Sequence, residues 1–393
     1  MTPELVGAAE ALRSYLDRVG FRQLYKFIAG VNRYAVTPAI ITRATASEAG
    51  QFFAEVLAGA PEMALAQCLL FGRPAERRSL GDAERRAADA LVAADLLGDD
   101  GGLITAGRYQ LISAFGLDLL IDRRIHFGGD VHEIYIGPDS CLMLYYVDAA
   151  AIRRQSRALD LCSGTGIGAL YLSLFSDHVT ATDIGAAPLA LIALNRRLNQ
   201  RDEQVEIRAE DLRDTLNGSE RFDVLTCNPP FVAFPPGLRT SLYAHGTDAD
   251  GLGYMRLLVE RSASLLTPGG SAYLVADLVG DASGPYFAAE LAAFAAAGGL
   301  AIDVYIDNVV AAEHQIEPLA AYLGLLNRDR DRAGIAAQLE EFQRDTLRAE
   351  RFYLSTLRVR TAAPHPGVRV LRRFEMPRPT VAEETWPSLL AWA

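Results

Sequence analysis

Ala158-Leu-Asp-Leu-Cys-Ser-Gly-Thr-Gly-Ile-Gly168 is an apolar run that stops at Asp160 and breaks into a loop with glycine at 164, 166 and 168. An Ala/Leu-rich segment follows. The pattern predicts a strand, a tight turn and the first turn of a helix. Glycine at alternate positions removes the Cβ atoms that would hold a ligand away from the backbone. The helix behind it aims unpaired N–H groups at the loop. A polar ligand group is therefore expected there.

Downstream, strand and helix patterns alternate. Strands are expected at 157–162, 178–183, 205–209, 222–227, 271–276 and 301–306. Helices are expected at 167–175, 189–199, 253–266 and 286–297. The expected fold class is α/β, a doubly wound Rossmann-like sheet whose ligands sit at the carboxyl ends of the strands. Asp183 ends the second strand, where an acid accepts hydrogen bonds from both hydroxyls of a ribose. Glu210-Asp211 ends the third strand, placed either to receive an adenine amino group or to serve as a solvated loop acid. The loop alone leaves the cofactor open, because Gly164-x-Gly166-x-x-Ala169 also fits the loose dinucleotide fingerprint of an NAD-dependent oxidoreductase.

The fourth strand separates these readings. It runs into Asn228-Pro229-Pro230-Phe231. Proline fixes φ and disfavours helix at the residue before it, so the Asn side chain is held. That side chain carries an acceptor and a donor, a main-chain carbonyl adds a second acceptor, and Phe231 supplies a flat π-face. Two acceptors beside a ring suit a planar nitrogen group with two N–H bonds.

These residues together resemble a class I S-adenosylmethionine-dependent methyltransferase of the Asn-Pro-Pro-aromatic subgroup. That subgroup includes release-factor glutamine N5-methyltransferases and N6-adenine and N2-guanine methyltransferases. The resemblance covers roughly residues 130 to 310. It implies S-adenosyl-L-methionine as cofactor, contacted by Asp160, Ser163, Gly164, Thr165, Gly166, Gly168, Asp183, Ile184, Asp211, Leu212 and Asn228. It implies catalysis at Asn228, Pro229, Pro230 and Phe231, with nitrogen receiving the methyl group. The run Gly246-Thr-Asp-Ala-Asp-Gly-Leu252, continuing to Leu266-Thr-Pro-Gly-Gly270, resembles the glutamine branch. Phe231 stands where that branch more usually has Tyr, and Pro138-Asp139-Ser140-Cys141 is a weak echo of its Pro-Glu-Thr-Glu segment. The expected acceptor is a small molecule or a protein amide or amine. An RNA or DNA base is one alternative, and a cofactor-binding pseudo-enzyme another.

Around this core the chain of 393 residues is expected to divide into five parts. Residues 1–125 read as helices closed by a β-hairpin, a winged-helix-like accessory domain. Within it, Thr45-Ala-Ser-Glu48 resembles a capping box, Gly98–Gly102 reads as a turn cluster, and Arg77, Arg78, Arg85 and Arg86 form the local basic group. Residues 126–150 connect, with Tyr135, Asp139 and Ser140 as a candidate lip of the site or, for the Pro-Asp-Ser turn, a plain helix cap. Residues 151–310 form the catalytic domain. Residues 311–350 are a helical insertion suited to capping the site or making a homodimer contact. Residues 351–393 hold a last strand and a tail with Arg369, Arg372, Arg373 and Arg378. His245 and His314 are further candidate substrate contacts.

The net charge of −11 disfavours a long anionic polymer as partner. Four scattered cysteines show no metal spacing and read as core residues in a reducing compartment. The Met-Thr-Pro-Glu start shows no signal pattern, and no apolar run reaches spanning length, so a cytoplasmic protein without a membrane partner is expected.

Overall fold

The computed structural model describes residues 2–31, 55, 57, 60, 62–122, 134, 136–362 and 364–372. The chain divides into two compact units, each discontinuous in sequence.

The first unit comprises residues 1–141, 163–174 and 183–209. It opens with α1 (Pro3–Val19), where Thr2 Oγ1 accepts from the Leu5 N–H and Gly20 closes the helix in the left-handed region. Ala8, Ala9, Leu12, Tyr15 and Leu16 are buried at helical spacing along one face. Then come α2 (Phe21–Val31), α3 (Ala64–Phe71) and α4 (Asp82–Ala93). Glu84 in α4 is buried because its carboxylate accepts from Gly81 N–H at 3.0 Å and Leu65 N–H at 2.9 Å.

A small antiparallel sheet orders β1 (Ala75–Glu76), β3 (Leu103–Thr105) and β2 (Gly98–Asp100). Gly98–Gly102 is thus not all turn: Gly98–Asp100 pairs with Leu103–Thr105, and only Gly101-Gly102 makes the reversal. Arg77 pairs with Asp89 at 2.9 Å and Asp99 at 3.3 Å, and Arg78 pairs with Glu76 at 2.9 Å. Arg85 donates to the Leu80 carbonyl. Much of the local basic group is thus occupied within the chain. A second hairpin joins β4 (Tyr109–Ala114) to β5 (Leu117–Asp122). The unit also holds α6 (Ile167–Leu172), α7 (Ala186–Leu198) and β8 (Val205–Ala209). The capping box at 45–48 and Tyr135 lie outside the described residues.

Between Gly137 and Val147 the Pro-Asp-Ser turn starts a helix, as its reading as a plain helix cap has it, and the apolar run continues that helix as α5 (Pro138–Tyr146). Proline at the first helical position and Ser140 Oγ accepting from Gly137 N–H explain why the turn chemistry starts a helix.

The second unit comprises residues 142–162, 175–182 and 210–393. Its strands are β6 (Arg157–Leu161), β7 (His178–Asp183), β9 (Phe222–Cys227), β10 (Leu266–Gly280), β11 (Ala301–Ala311), β12 (Arg351–Arg360) and β13 (Gly367–Arg372). They order as β13-β11-β12-β10-β9-β6-β7. β6 pairs in parallel with β7 on one side and β9 on the other, so the winding reverses at β6. β12 runs antiparallel between β10 and β11, which makes this Rossmann-like sheet mixed.

Leu159, Leu161, Leu225, Leu274 and Leu357 are among its fully buried core residues. Helices α8 (Leu212–Asn217), α9 (Gly253–Leu265) and α10 (Phe287–Gly298) connect strands. The insertion forms α11 (Glu313–Leu326), α12 (Arg332–Glu341) and a π-turn at Phe342–Leu347. β13 was not foreseen; it carries part of the basic tail, and Arg369 pairs with buried Asp303 at 2.6 Å. No described helix is long and apolar enough to cross a membrane.

Candidate functional site

In the first unit the glycine loop is held from behind. Asn195 on α7 is fully buried. Its Oδ1 accepts from Leu120 N–H at 2.8 Å, and its Nδ2 donates to the Leu120 and Thr165 carbonyls, each at 2.9 Å. Asn199, one turn later, does the same for Asp118, accepting from its N–H at 3.0 Å and donating to its carbonyl at 2.6 Å. An Asn pair at i and i+4 on a buried helix face was the available signal, and it was missed. Gly166 has φ +81°, a conformation that favours glycine, and a Cβ there would crowd the Ile192 side chain at 3.2 Å. Gly168 lies buried in the first turn of α6.

Asp183 is buried at the end of β7. Its Oδ2 accepts from Gly164 N–H and its Oδ1 from Gly185 N–H, both at 3.0 Å. Burial raises its pKa above the usual carboxylate value, and the backbone donors only partly offset this. Ile184 beside it keeps 51% of its surface exposed, a large apolar face next to a buried acid. Thr165 is 1% exposed, and its Oγ1 has no partner among the described residues. A buried hydroxyl without a partner is costly, so this loop is shaped for a polar group supplied from elsewhere. Ser163 is buried in the same loop.

In the second unit, Asp160 Oδ1 accepts from Thr226 Oγ1 at 2.7 Å, across the register pair that aligns the two residues. One bond of Asp160 is thereby spent on holding β6 to β9. Cys162 was expected inside the buried strand. It lies past the end of β6, half-buried, with φ +53°. A non-glycine residue held in the left-handed region marks local strain at the chain's entry to the loop.

The Asn228–Phe231 corner follows β9. Pro229 is buried, while Asn228, Pro230 and Phe231 are half-buried. Beyond it, Val232 N–H donates to the Ala244 carbonyl at 2.9 Å, and Gly246 N–H donates to the Val232 carbonyl at 3.0 Å. Gly251, at φ +78°, presses so close that a Cβ would lie 2.3 Å from the Phe231 carbonyl oxygen. Arg256 locks that glycine segment. It grips Asp250 with two bonds of 2.9 and 2.6 Å, and also reaches Asp248 at 3.1 Å and Glu290 at 2.7 Å. Burial pushes the Asp250 carboxyl up, but the Arg256 and Leu252 N–H bonds outweigh it and hold it below the usual range. The corner is therefore backed by backbone, which sequence patterning did not reveal.

Other candidates are placed as follows. Asp211 caps α8, accepting from Arg213 N–H at 2.8 Å, and Leu212 is buried behind it. Asp139 and Ser140 are buried in the first turn of α5. His245 is half-buried, with Nδ1 2.8 Å from Thr240 Oγ1 and its ring edge-on to Phe234; burial lowers its pKa. His314 is exposed at the start of α11, 3.7 Å from Glu313.

A family model described as "Methyltransferase small domain" matches residues 137–282. The chain is 34% identical to the release factor glutamine methyltransferase of Bordetella pertussis, over 31% of this chain and 48% of that protein. It is 37% identical to the ribosomal protein uL3 glutamine methyltransferase of Xanthomonas campestris, over 20% of this chain and 26% of that protein. The chain thus spans about half the length, or less, of these relatives. A solved structure, the SAM-dependent methyltransferase from Agrobacterium tumefaciens, aligns with a TM-score of 0.39 at 14% identity, over 65% of this chain and 71% of its own.

Proposed function

We propose that residues 137–282, which match the methyltransferase small domain model, transfer a methyl group from S-adenosylmethionine, and that the chain methylates an amide nitrogen of a protein, a glutamine side chain above all. The dinucleotide alternative left open by the glycine loop is set aside on the same ground. The observation that carries the proposal is the Asn228-Pro-Pro-Phe231 corner, backed by Gly251. A rigid pair of acceptors beside a ring suits a planar group with two N–H bonds. The names of the relatives, glutamine methyltransferases acting on release factors and on ribosomal protein uL3, point to the same chemistry.

The residues present fit the cofactor. Asp183 would accept from the ribose hydroxyls, Ile184 would cover an apolar or planar face, and Thr165 Oγ1 would gain the partner it lacks. When bound, the cofactor supplies a methyl group on sulfonium, already activated for transfer. The chain's own work is positioning. Asn228 Oδ1 and the Pro229 carbonyl accept the two amide N–H bonds, raise electron density on that nitrogen and stabilise positive charge growing there. Phe231 stacks against the amide plane. His245, whose pKa burial lowers, is a candidate to take the released proton.

Incubation with methyl-labelled cofactor and fractionated lysate tests this. Label is expected in the protein fraction, on glutamine after hydrolytic mapping. Label confined to nucleic acid or to small molecules would overturn the acceptor assignment. The nucleic-acid reading is the weaker because Arg77 and Arg78 already pair with Asp89, Asp99 and Glu76.

A further inference from the structure

Resting on that reading, we infer that the α11–α12 insertion is a positioning device for the acceptor corner, acting through Asn327 and Gln338. The segment 232–245 leaves Phe231 and returns to it, since Val232 and His245 form a bridge. Loop backbone of this kind ordinarily turns its polar groups to water. Here the insertion takes them instead. Arg239 N–H donates to Asn327 Oδ1 at 2.8 Å, and Asn327 Nδ2 donates back to the Arg239 carbonyl at 3.0 Å. Gln338 Nε2 donates to the Pro236 carbonyl at 2.9 Å, and Arg330 to the Gly237 carbonyl at 3.3 Å. Asn327 is 3% exposed, so its side chain is fixed by packing where it meets the Arg239 backbone.

Apolar contacts carry the same restraint toward the corner. Phe234 stacks on Tyr322 of α11, with ring centroids 6.2 Å apart. Ala233, two residues past Phe231, packs on Val279, Ala312, Phe342, Leu347 and Phe352. The insertion does not need the loop bonds for its own seating. Gln315 donates to Asp277 on β10 at 3.0 Å, and Phe342 and Leu347 pack with Val279 and Phe352 of the sheet. The bonds to 236, 237 and 239 all engage loop backbone, so they set the loop's path whatever its side chains. A misplacement of about 1 Å at a reacting group costs about 10²-fold in rate, which is the scale such a clamp controls.

The test uses the full chain with Asn327→Ala, Asn327→Asp, Gln338→Ala and, as control, Arg332→Ala, which breaks only the Arg332–Glu317 pair within the insertion. Three readouts are taken: deuterium uptake of peptides covering 232–245, affinity for S-adenosylhomocysteine, and methyl label transferred to the protein fraction. Asn327→Ala and Gln338→Ala are expected to raise uptake in 232–245 and lower label transfer about tenfold or more, with S-adenosylhomocysteine affinity within about twofold. Asn327→Asp, which keeps the acceptor for Arg239 N–H, should recover part of the transfer. Arg332→Ala should match the wild type.

Uptake that does not change overturns the clamp. Uptake that rises while transfer stays at the wild-type level overturns its positioning role. Should Asn327→Ala not fold, the half-buried Gln338→Ala decides alone. A wild-type chain that labels no fraction removes the functional premise itself, and that result is visible before any variant is compared.

Discussion

Gly251→Ala is the sharpest probe of the backed corner. At φ +78° an L-residue costs roughly 1–2 kcal/mol in left-handed backbone. The added Cβ would also lie 2.3 Å from the Phe231 carbonyl oxygen and 2.9 Å from Ala233 N, whereas ordinary contact begins near 3.4 Å. Both neighbours are backbone, so no side chain can swing aside. The corner must open by about 1 Å, at an overpacking cost of roughly 1–3 kcal/mol. The sum is about 2–5 kcal/mol, which lowers a melting midpoint by roughly 5–15 °C in a domain of this size. A shift of about 1 Å at Phe231 should also cost about 10²-fold in methyl transfer.

Gly269→Ala supplies the contrast. Its φ is +85°, yet nothing lies within 4 Å of the added Cβ. It should lose only the backbone cost of about 1–2 kcal/mol and keep most of its transfer. Thermal unfolding and label transfer on both variants measure the difference. If Gly251→Ala and Gly269→Ala lose the same stability and the same activity, the close approach does not brace the corner.

Asn228→Ala should keep S-adenosylhomocysteine affinity in calorimetry while label transfer falls by about 10²-fold or more; undiminished turnover would remove Asn228 from the site. Asp183 gives two pH effects of opposite sign. Its folded pKa is raised above the unfolded value of 3.8, so between the two the folded chain holds the extra proton. Its contribution to stability therefore grows as pH falls through that window, while cofactor affinity falls because the ribose needs the carboxylate. Calorimetry and denaturant melts across acidic pH check both signs, and Asp183→Asn should flatten both. Arg256→Ala should cost about 1–2 kcal/mol, by leaving Asp250 half-buried without its partner. Asp250's pKa is depressed, so its contribution is present above 3.8 and lost as pH falls through the folded value; that acid sensitivity should shrink in the variant.

Local patterning was enough for the frame. The strands at 178–183, 205–209 and 222–227 run to the residues where alternation and apolar runs placed them. The reason is that period and turn residues are short-range properties of the chain. Asp183 and the Asn-Pro-Pro-Phe corner were legible for the same reason, since each ends a strand whose limit is local. At Pro138–Tyr146 locality supplied the helix start but not the whole element. Pro and Ser read as a helix cap, while an apolar run of that length suits strand or helix equally.

What the amino-acid order determined alone is where the parts stand: a glycine loop, a strand-end acid and an Asn-Pro-Pro-Phe corner, each encoded within about ten neighbouring residues. What tertiary structure decided is how those parts are held. Asn195 reaches Leu120 and Thr165, Arg256 binds Asp248, Asp250 and Glu290, and Asn327 binds Arg239. Many of these pairs lie far apart in sequence, and their hydrogen bonds form only once folding has brought both partners together and fixed them. Gly251 shows the limit most plainly. In the sequence it is one glycine in a turn-rich run, and the Phe231 carbonyl, folded back against it, makes any side chain there costly.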